Sequence, residues 1–269
     1  MSALAGTRVL VTRPAAQAQA WRTTLAQHGF GSVAVPMLEL VPVSAPEQVE
    51  ALKARVLNFD HYQKVVFVSR NAVAHAMEWL DTYWPQLPVG IEYFGVGSTT
   101  AEALRELDMP ISAPGGAMNS EALLLDPALQ VDKVTGQRVL IFRGVGGRPY
   151  LAQELQQRGA QVDFAELYER CHPAGATEQL REAFADPGVW RQKQIVALHS
   201  GESLHNYRKS LDQLGQNAGQ QSLAQALEQL PVLVPGQRVA ELARELGFAH
   251  ILTAENATDA SMLATLKQH

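Results

Sequence analysis

The chain has a single cysteine, Cys171, among 269 residues. One thiol excludes an intramolecular disulfide and any cysteine-clustered metal site. Apolar runs long enough to span a bilayer, about 18 residues, are missing too, which excludes a membrane-spanning helix. The opening residues carry neither the basic nor the apolar region of an export signal, so a cytoplasmic protein is expected. Positive charge is in short supply: 22 Lys and Arg face 27 Asp and Glu, for a net charge of −5. Without a basic face, general binding to nucleic acid is excluded, and an anionic ligand would depend on a few arginines and helix N-termini. Nucleophile elbows (G-x-S-x-G), Walker sequences, H-E-x-x-H and carboxylate clusters are likewise absent, and the eight histidines are scattered. No metal is expected.

What the chain does have is apolar bulk, 46% of residues against 18% charged, enough for one large core or, better, two ordinary ones. Short β-branched runs at 8–11, 32–35, 65–68, 91–94, 139–142, 162–165, 195–198, 232–234 and 250–252 alternate with helical periods such as Trp21, Leu25 and His28. That alternation predicts an α/β fold with parallel sheets. Gly29 and Gly159 stand where left-handed helix ends are expected. Asn119 and Thr258 stand where polar caps open helices. The Gly-, Gln- and Asn-rich stretch 214–221 predicts a flexible loop.

The chain also repeats itself. At an offset of 130, residues 8–40 match 138–170 at eight of 33 positions, including Arg8/Arg138, Arg13/Arg143, Leu25/Leu155 and Gly29/Gly159. At an offset of 139, AEALREL (101–107) matches AELAREL (240–246), and Gly97 pairs with Gly236. The segments 119–124 and 258–263 keep that second offset. Three matches in one order imply an internal duplication and two similar domains, with ligands expected at the carboxyl ends of their strands.

Loops at those ends supply the candidate residues. Arg13 and Arg143 occupy equivalent positions and suit a carboxylate or phosphate clamp, or a structural salt bridge. The run Gly144-Val145-Gly146-Gly147, with Arg148 after it, invites a dinucleotide reading with Asp163 as ribose partner; its G-x-G-x-x-P spacing departs from the fingerprint. Ser69 and Asn71 can cap a helix or face a ligand. Around Gly97, Ser98, Thr99 and Thr100, backbone amides can approach an anion closely. Ser200 and Pro235-Gly236-Gln237 occupy matching corners. Tyr168 lies in a connector expected to cross between domains, where it would overlook the cleft or pack as a structural aromatic.

In their order, Val9-Leu10-Val11-Thr12-Arg13-Pro14, Phe67-Val68-Ser69-Arg70-Asn71-Ala72-Val73, Val96-Gly97-Ser98-Thr99-Thr100-Ala101 and Glu166-Leu167-Tyr168-Glu169 make the whole chain resemble the uroporphyrinogen-III synthase family. The resemblance implies two flavodoxin-like domains, one of residues 1–37 and 173–269, the other of 42–167, joined by hinge strands 38–41 and 168–172. It implies conversion of the linear tetrapyrrole hydroxymethylbilane into uroporphyrinogen III, with loss of water and inversion of ring D, by a monomer needing no cofactor. An upstream enzyme producing hydroxymethylbilane is a candidate partner. Tyr168 matches the family's hinge tyrosine and would assist hydroxyl loss, and Thr100 matches the threonine of the V-G-x-x-T-A segment. Ser69, Asn71, Gly97, Ser98 and Thr99, with Arg13, Arg143, Gly144, Arg148 and Ser200, would bind the substrate. Val239 stands where many relatives carry a second threonine. A cytosolic two-domain sensor of small anions, and a nucleotide-dependent enzyme using residues 144–147, are the readings from other classes.

Overall fold

Short β-branched runs become strands because such side chains pack well on a pleated surface covered on both faces. The computed structural model describes residues 6–111 and 119–269; residues 1–5, read above for an export signal, lie outside them. The described strands are β1 (Thr7–Val11), β2 (Gly31–Ala34), β3 (Glu39–Pro42), β4 (Lys64–Phe67), β5 (Glu92–Gly95), β6 (Arg138–Gly144), β7 (Gln161–Cys171), β8 (Lys193–Ala197), β9 (Val232–Pro235) and β10 (Ile251–Ala254). All nine expected runs are among them. The segments expected as connectors are themselves extended: one contributes β3, and the other is the far end of β7.

The chain divides into two compact units, Met1–Leu40 with Cys171–His269, and Val41–Arg170. In the first, the strand order is β10-β9-β8-β1-β2, with every neighbouring pair parallel. In the second it is β3-β7-β6-β4-β5; the pairs from β7 to β5 are parallel, and Ile111 adds a parallel bridge at Tyr93 of β5. On the sequence offsets, β1 and β2 correspond to β6 and β7, and β4 and β5 to β8 and β9. Each sheet therefore combines the opening pair of one repeat with the later strands of the other, in the same spatial order.

Alternation along β1 sends Leu10 to one apolar layer, with Val196, Leu204 and Tyr207, and Val9 and Val11 to the other, with Trp21, Leu25 and Ile195. Both faces of that sheet are thus covered, as a parallel sheet requires. In the second unit Val66, Val139 and Ile141 pack with Leu151 and Leu155.

Repeated sequence yields repeated local structure. Gly29 and Gly159 both follow helices with φ of +83° and +89°, a region open to glycine because it lacks Cβ. Ser69 and Ser200 each cap a helix, their hydroxyls accepting from the N–H of Ala72 and Ser203, while Asn119 caps with its amide oxygen toward Ala122 and Thr258 with its hydroxyl toward Ser261.

The stretch 214–221 departs from expectation. Helix Gly201–Gln216 runs into it and helix Gln221–Glu228 begins at its end, leaving 217–220 as the connection. Tyr207, Leu211 and Leu214 bury one helical face. That burial outweighs the roughly 1 kcal/mol that Gly215 costs a helix. Among the described residues, no helix is long and apolar enough to cross a membrane.

Candidate functional site

Parallel strands deliver their carboxyl ends to one edge, where the loops turn into helices. In the Val41–Arg170 unit, the ends of β4, β5 and β6 and the helices that follow them surround a cavity of about 580 Å³. Val68 and Ser69 reach it from β4, Val96 and Gly97 from β5, and Arg143 and Gly144 from β6. Arg70, Arg148 and Arg170 join Arg143 in its wall, and no described lining residue is a carboxylate. A chain of net negative charge thus gathers four arginines at one corner, of which Arg70 donates to the carboxylate of Glu106 at 3.3 Å. Helices Arg70–Tyr83 and Ser98–Glu106 begin at the same rim, adding free N–H groups that also favour anions.

Arg143 is the buried member, 6% exposed. Its Nε donates to the Gly144 carbonyl at 3.2 Å, and its guanidinium lies 4.6 Å from the Phe164 ring centroid. The carboxylate of Glu166 is 3.9 Å from Nε, longer than a hydrogen bond. Burial lowers the Arg143 pKa, and Glu166 partly offsets this.

The neighbouring glycines make room for side chains. A Cβ on Gly147 would lie 2.6 Å from Nη2 of Arg143, and one on Gly144 would lie 2.6 Å from Cε2 of Tyr168. Asp163 is committed elsewhere: it accepts from Tyr62 at 2.9 Å and Arg138 at 3.2 Å, with Arg55 at 3.4 Å. Gly144 and Gly147 thus make room for neighbouring side chains, Gly146 takes φ +72°, and the supposed ribose partner is engaged, which removes the support for a dinucleotide reading.

Tyr168 is only 2% exposed. A register shift in the β6–β7 pairing places it opposite Gly144. Its ring packs against His75, centroids 5.0 Å apart, and its hydroxyl lies 3.2 Å from Ser69 Oγ. Ser69 lines the cavity and Tyr168 is not among the lining residues, so its link to the cavity runs through the Ser69 hydroxyl. Gly144→Ala should push the tyrosine ring aside, destabilising the protein by about 1–3 kcal/mol, as overpacking typically does. Chemical denaturation checks this; a loss under 0.5 kcal/mol would show that the ring moves freely.

Thr100, 1% exposed, donates its hydroxyl hydrogen to the Val96 carbonyl at 2.6 Å, leaving its lone pairs as the remaining polar capacity. Gly97 takes φ +89° at the helix cap beside it. Thr99 lines the cavity, whereas Ser98 and Asn71, each in the first turn of its helix, are not among the lining residues.

Arg13 and Ser200 belong to the other unit. Arg13 Nη1 lies 2.6 Å from Asp259 and Nη2 donates to the Ala257 carbonyl at 3.2 Å. Ser200 forms a reciprocal capping box with Ser203. Burial and the nearby charge of Arg13 push His199 down to about 3, so its ring is neutral at ordinary pH. Among the described residues neither of its nitrogens has a hydrogen-bond partner. Val239 is buried in the apolar core.

Sequence reasoning missed Arg70, Ser120 and Arg170 as lining residues. The offset of 139 could have flagged Ser120, which it sets opposite the charged Asp259. The described residues contain no group of three or more His, Cys, Asp or Glu side chains able to hold a metal ion.

A family model described as Uroporphyrinogen-III synthase HemD matches residues 19–264. A uroporphyrinogen-III synthase of Salmonella typhimurium is 34% identical over 264 residues, covering 96% of this chain and 99% of the relative. One of Escherichia coli is 34% identical over 267 residues, with the same coverage. Among solved structures, a uroporphyrinogen-III synthetase of Helicobacter pylori matches with TM-score 0.58 at 14% identity over 96% of each chain. A mutant uroporphyrinogen III synthase of Thermus thermophilus matches with TM-score 0.54 at 17% identity, covering 97% of this chain and 98% of that one. At these identities the structural likeness concerns the fold.

Proposed function

This chain belongs to the uroporphyrinogen-III synthase family, and from that premise we infer which of its residues carry the reaction. The activity is a cyclising dehydration in haem and tetrapyrrole biosynthesis: hydroxymethylbilane loses water, closes, and inverts ring D to give uroporphyrinogen III. The substrate carries eight carboxylates and closes spontaneously to the uninverted isomer. The enzyme must therefore hold the molecule in one geometry, a task of positioning more than of strong acid–base chemistry.

The observation that carries the site assignment is the cavity with four arginines and no described carboxylate in its lining. Guanidinium groups make paired bonds to carboxylates, so Arg143, Arg148, Arg70 and Arg170 hold substrate side chains, aided by the amides near Gly97 and Thr99. Thr100, its proton committed to Val96, accepts a hydrogen bond from a pyrrole N–H.

Departure of the hydroxyl needs a proton. Ser69 Oγ accepts from the Ala72 N–H and lies within hydrogen-bond distance of the Tyr168 hydroxyl. With both lone pairs filled, Ser69 can direct its own hydrogen into the cavity, and Tyr168 resupplies it. A phenol, with an ordinary pKa of about 10, keeps that proton at neutral pH. Asn71, Ser98 and Gly144 shape this rim.

The protein acts as a cytoplasmic monomer without a cofactor, receiving substrate from the enzyme that makes hydroxymethylbilane. Residues 1–37 with 173–269, and 42–167, form its domains, with 38–41 and 168–172 as hinge strands. Incubation with freshly prepared hydroxymethylbilane, followed by separation of isomers, should yield uroporphyrinogen III well above the spontaneous background. Isomer I alone, at the spontaneous rate, would refute the reading.

A further inference from the structure

The repeat relates walls of the arginine cavity to positions in the other unit, and among the lining residues one such exchange introduces a carboxylate: Ser120 against Asp259. We propose that Ser120 keeps the cavity open to a substrate carboxylate, and that Asp259, its counterpart, fills the equivalent seat with a carboxylate of the protein itself. The proposal rests on the reading that the cavity binds substrate carboxylates.

Three observations carry it. Ser120 and Asp259 are both the first residue of a helix, one position after the capping side chains of Asn119 and Thr258. Each shares a site with the arginine at the end of the corresponding strand: Ser120 and Arg143 line one cavity, while Asp259 lies 2.6 Å from Arg13. Where Arg13 thus has a close carboxylate, Arg143 has Glu166 at 3.9 Å, beyond hydrogen-bond reach.

Volume follows the same logic. Leu151 and Val68 line the cavity; the positions that match them in the other unit hold Trp21 and His199. Those two rings meet edge to face with centroids 5.8 Å apart, and the Arg13 guanidinium sits 5.8 Å from the Trp21 ring. At these two positions the other unit carries rings in place of aliphatic side chains, and Asp259 supplies there the negative charge that Arg143 awaits from a ligand. Ser120 is thereby a specificity-determining residue: small and neutral, it leaves room and charge for a carboxylate that an aspartate would repel.

The test compares Ser120→Asp with Ser120→Asn in the full chain, since the pair differs in charge but hardly in size. Ser120→Asp should raise KM for hydroxymethylbilane about tenfold or more above Ser120→Asn, a loss on the scale of one charge-assisted hydrogen bond. Citrate, used as a simple polycarboxylate probe, should raise the melting temperature of Ser120→Asn and lose that effect in Ser120→Asp. Equal KM values and equal citrate responses would overturn the inference while wild-type production of isomer III kept the functional reading intact. Wild type yielding only isomer I would remove the reading instead. Should Ser120→Asp fail to fold, Asp259→Ser serves: it should lower the melting temperature by a few degrees with KM within about twofold of wild type, because the Arg13 pair is structural. A tenfold rise in KM there would overturn the inference.

Discussion

Arg143→Met is expected to raise KM for hydroxymethylbilane by about 10- to 100-fold, with kcat changed far less. A charge-assisted hydrogen bond contributes about 1.5–3 kcal/mol, and each 1.4 kcal/mol is a factor of ten in affinity. Methionine keeps an unbranched side chain beside Phe164 but loses the guanidinium that sits 4.6 Å from that ring centroid, so the loss reports charge, hydrogen-bonding capacity and this cation contact more than volume. Removing this cation leaves no buried anion behind, because Glu166 has a side chain 38% exposed to water. Arg143→Lys should recover part of the affinity; a point charge replaces the fork but cannot reproduce its paired geometry. Substrate binding measured directly, beside KM, guards against a change in the rate-limiting step. An unchanged affinity in Arg143→Met would place the substrate carboxylates on the other arginines.

The second large effect belongs to kcat. Tyr168→Phe should slow formation of isomer III by roughly tenfold or more, the lower part of the range for a positioned general acid. The ring and its contact with His75 remain, so the fold should persist. As the catalysed rate falls, spontaneous closure competes better and the proportion of isomer I should rise. Ser69→Ala should move both readouts the same way, at an added cost of about 1 kcal/mol in stability for the lost helix cap. If Tyr168→Phe leaves rate and isomer ratio unchanged, the hydroxyl has no part in proton supply and Tyr168 is a packing residue.

The fold was largely legible because its signals are local. Nine β-branched runs, left-handed glycines at 29 and 159, and caps at Ser69, Asn119 and Thr258 each announce themselves within a few residues. The loop expected at 214–221 was misjudged because a composition rich in glycine and amides says nothing of the buried face that Tyr207, Leu211 and Leu214 provide together. The site was harder to read, since its character depends on who faces whom across the sheet. Arg13 and Arg143 look interchangeable in sequence, yet one meets an aspartate at hydrogen-bond distance and the other does not. The glycines at 144 and 147 resembled a phosphate loop because their reason, the bulk of Tyr168 and Arg143, lies in side chains that only folding brings alongside. Tyr168 could overlook a cleft or pack as a structural aromatic, and no local signal chooses, because the register shift at Gly144 that sets its ring against His75 and its hydroxyl 3.2 Å from Ser69 arises only on folding.

The strand order also bears on how the protein emerges from a ribosome. The Val41–Arg170 unit is one continuous stretch of chain, so it can fold as soon as its last strand is made. The other unit cannot: β1 needs β8 beside it, with Thr7 opposite Lys193, and that partner is synthesised only after the whole intervening unit. Until then Val9, Val11, Trp21 and Leu25 lack most of the apolar layer that buries them. Exposed apolar surface of this kind promotes aggregation in nascent chains. Early completion of the continuous unit shortens the wait by drawing the two halves of the interrupted one together across a folded insert, which lowers the entropy cost of closing a long loop.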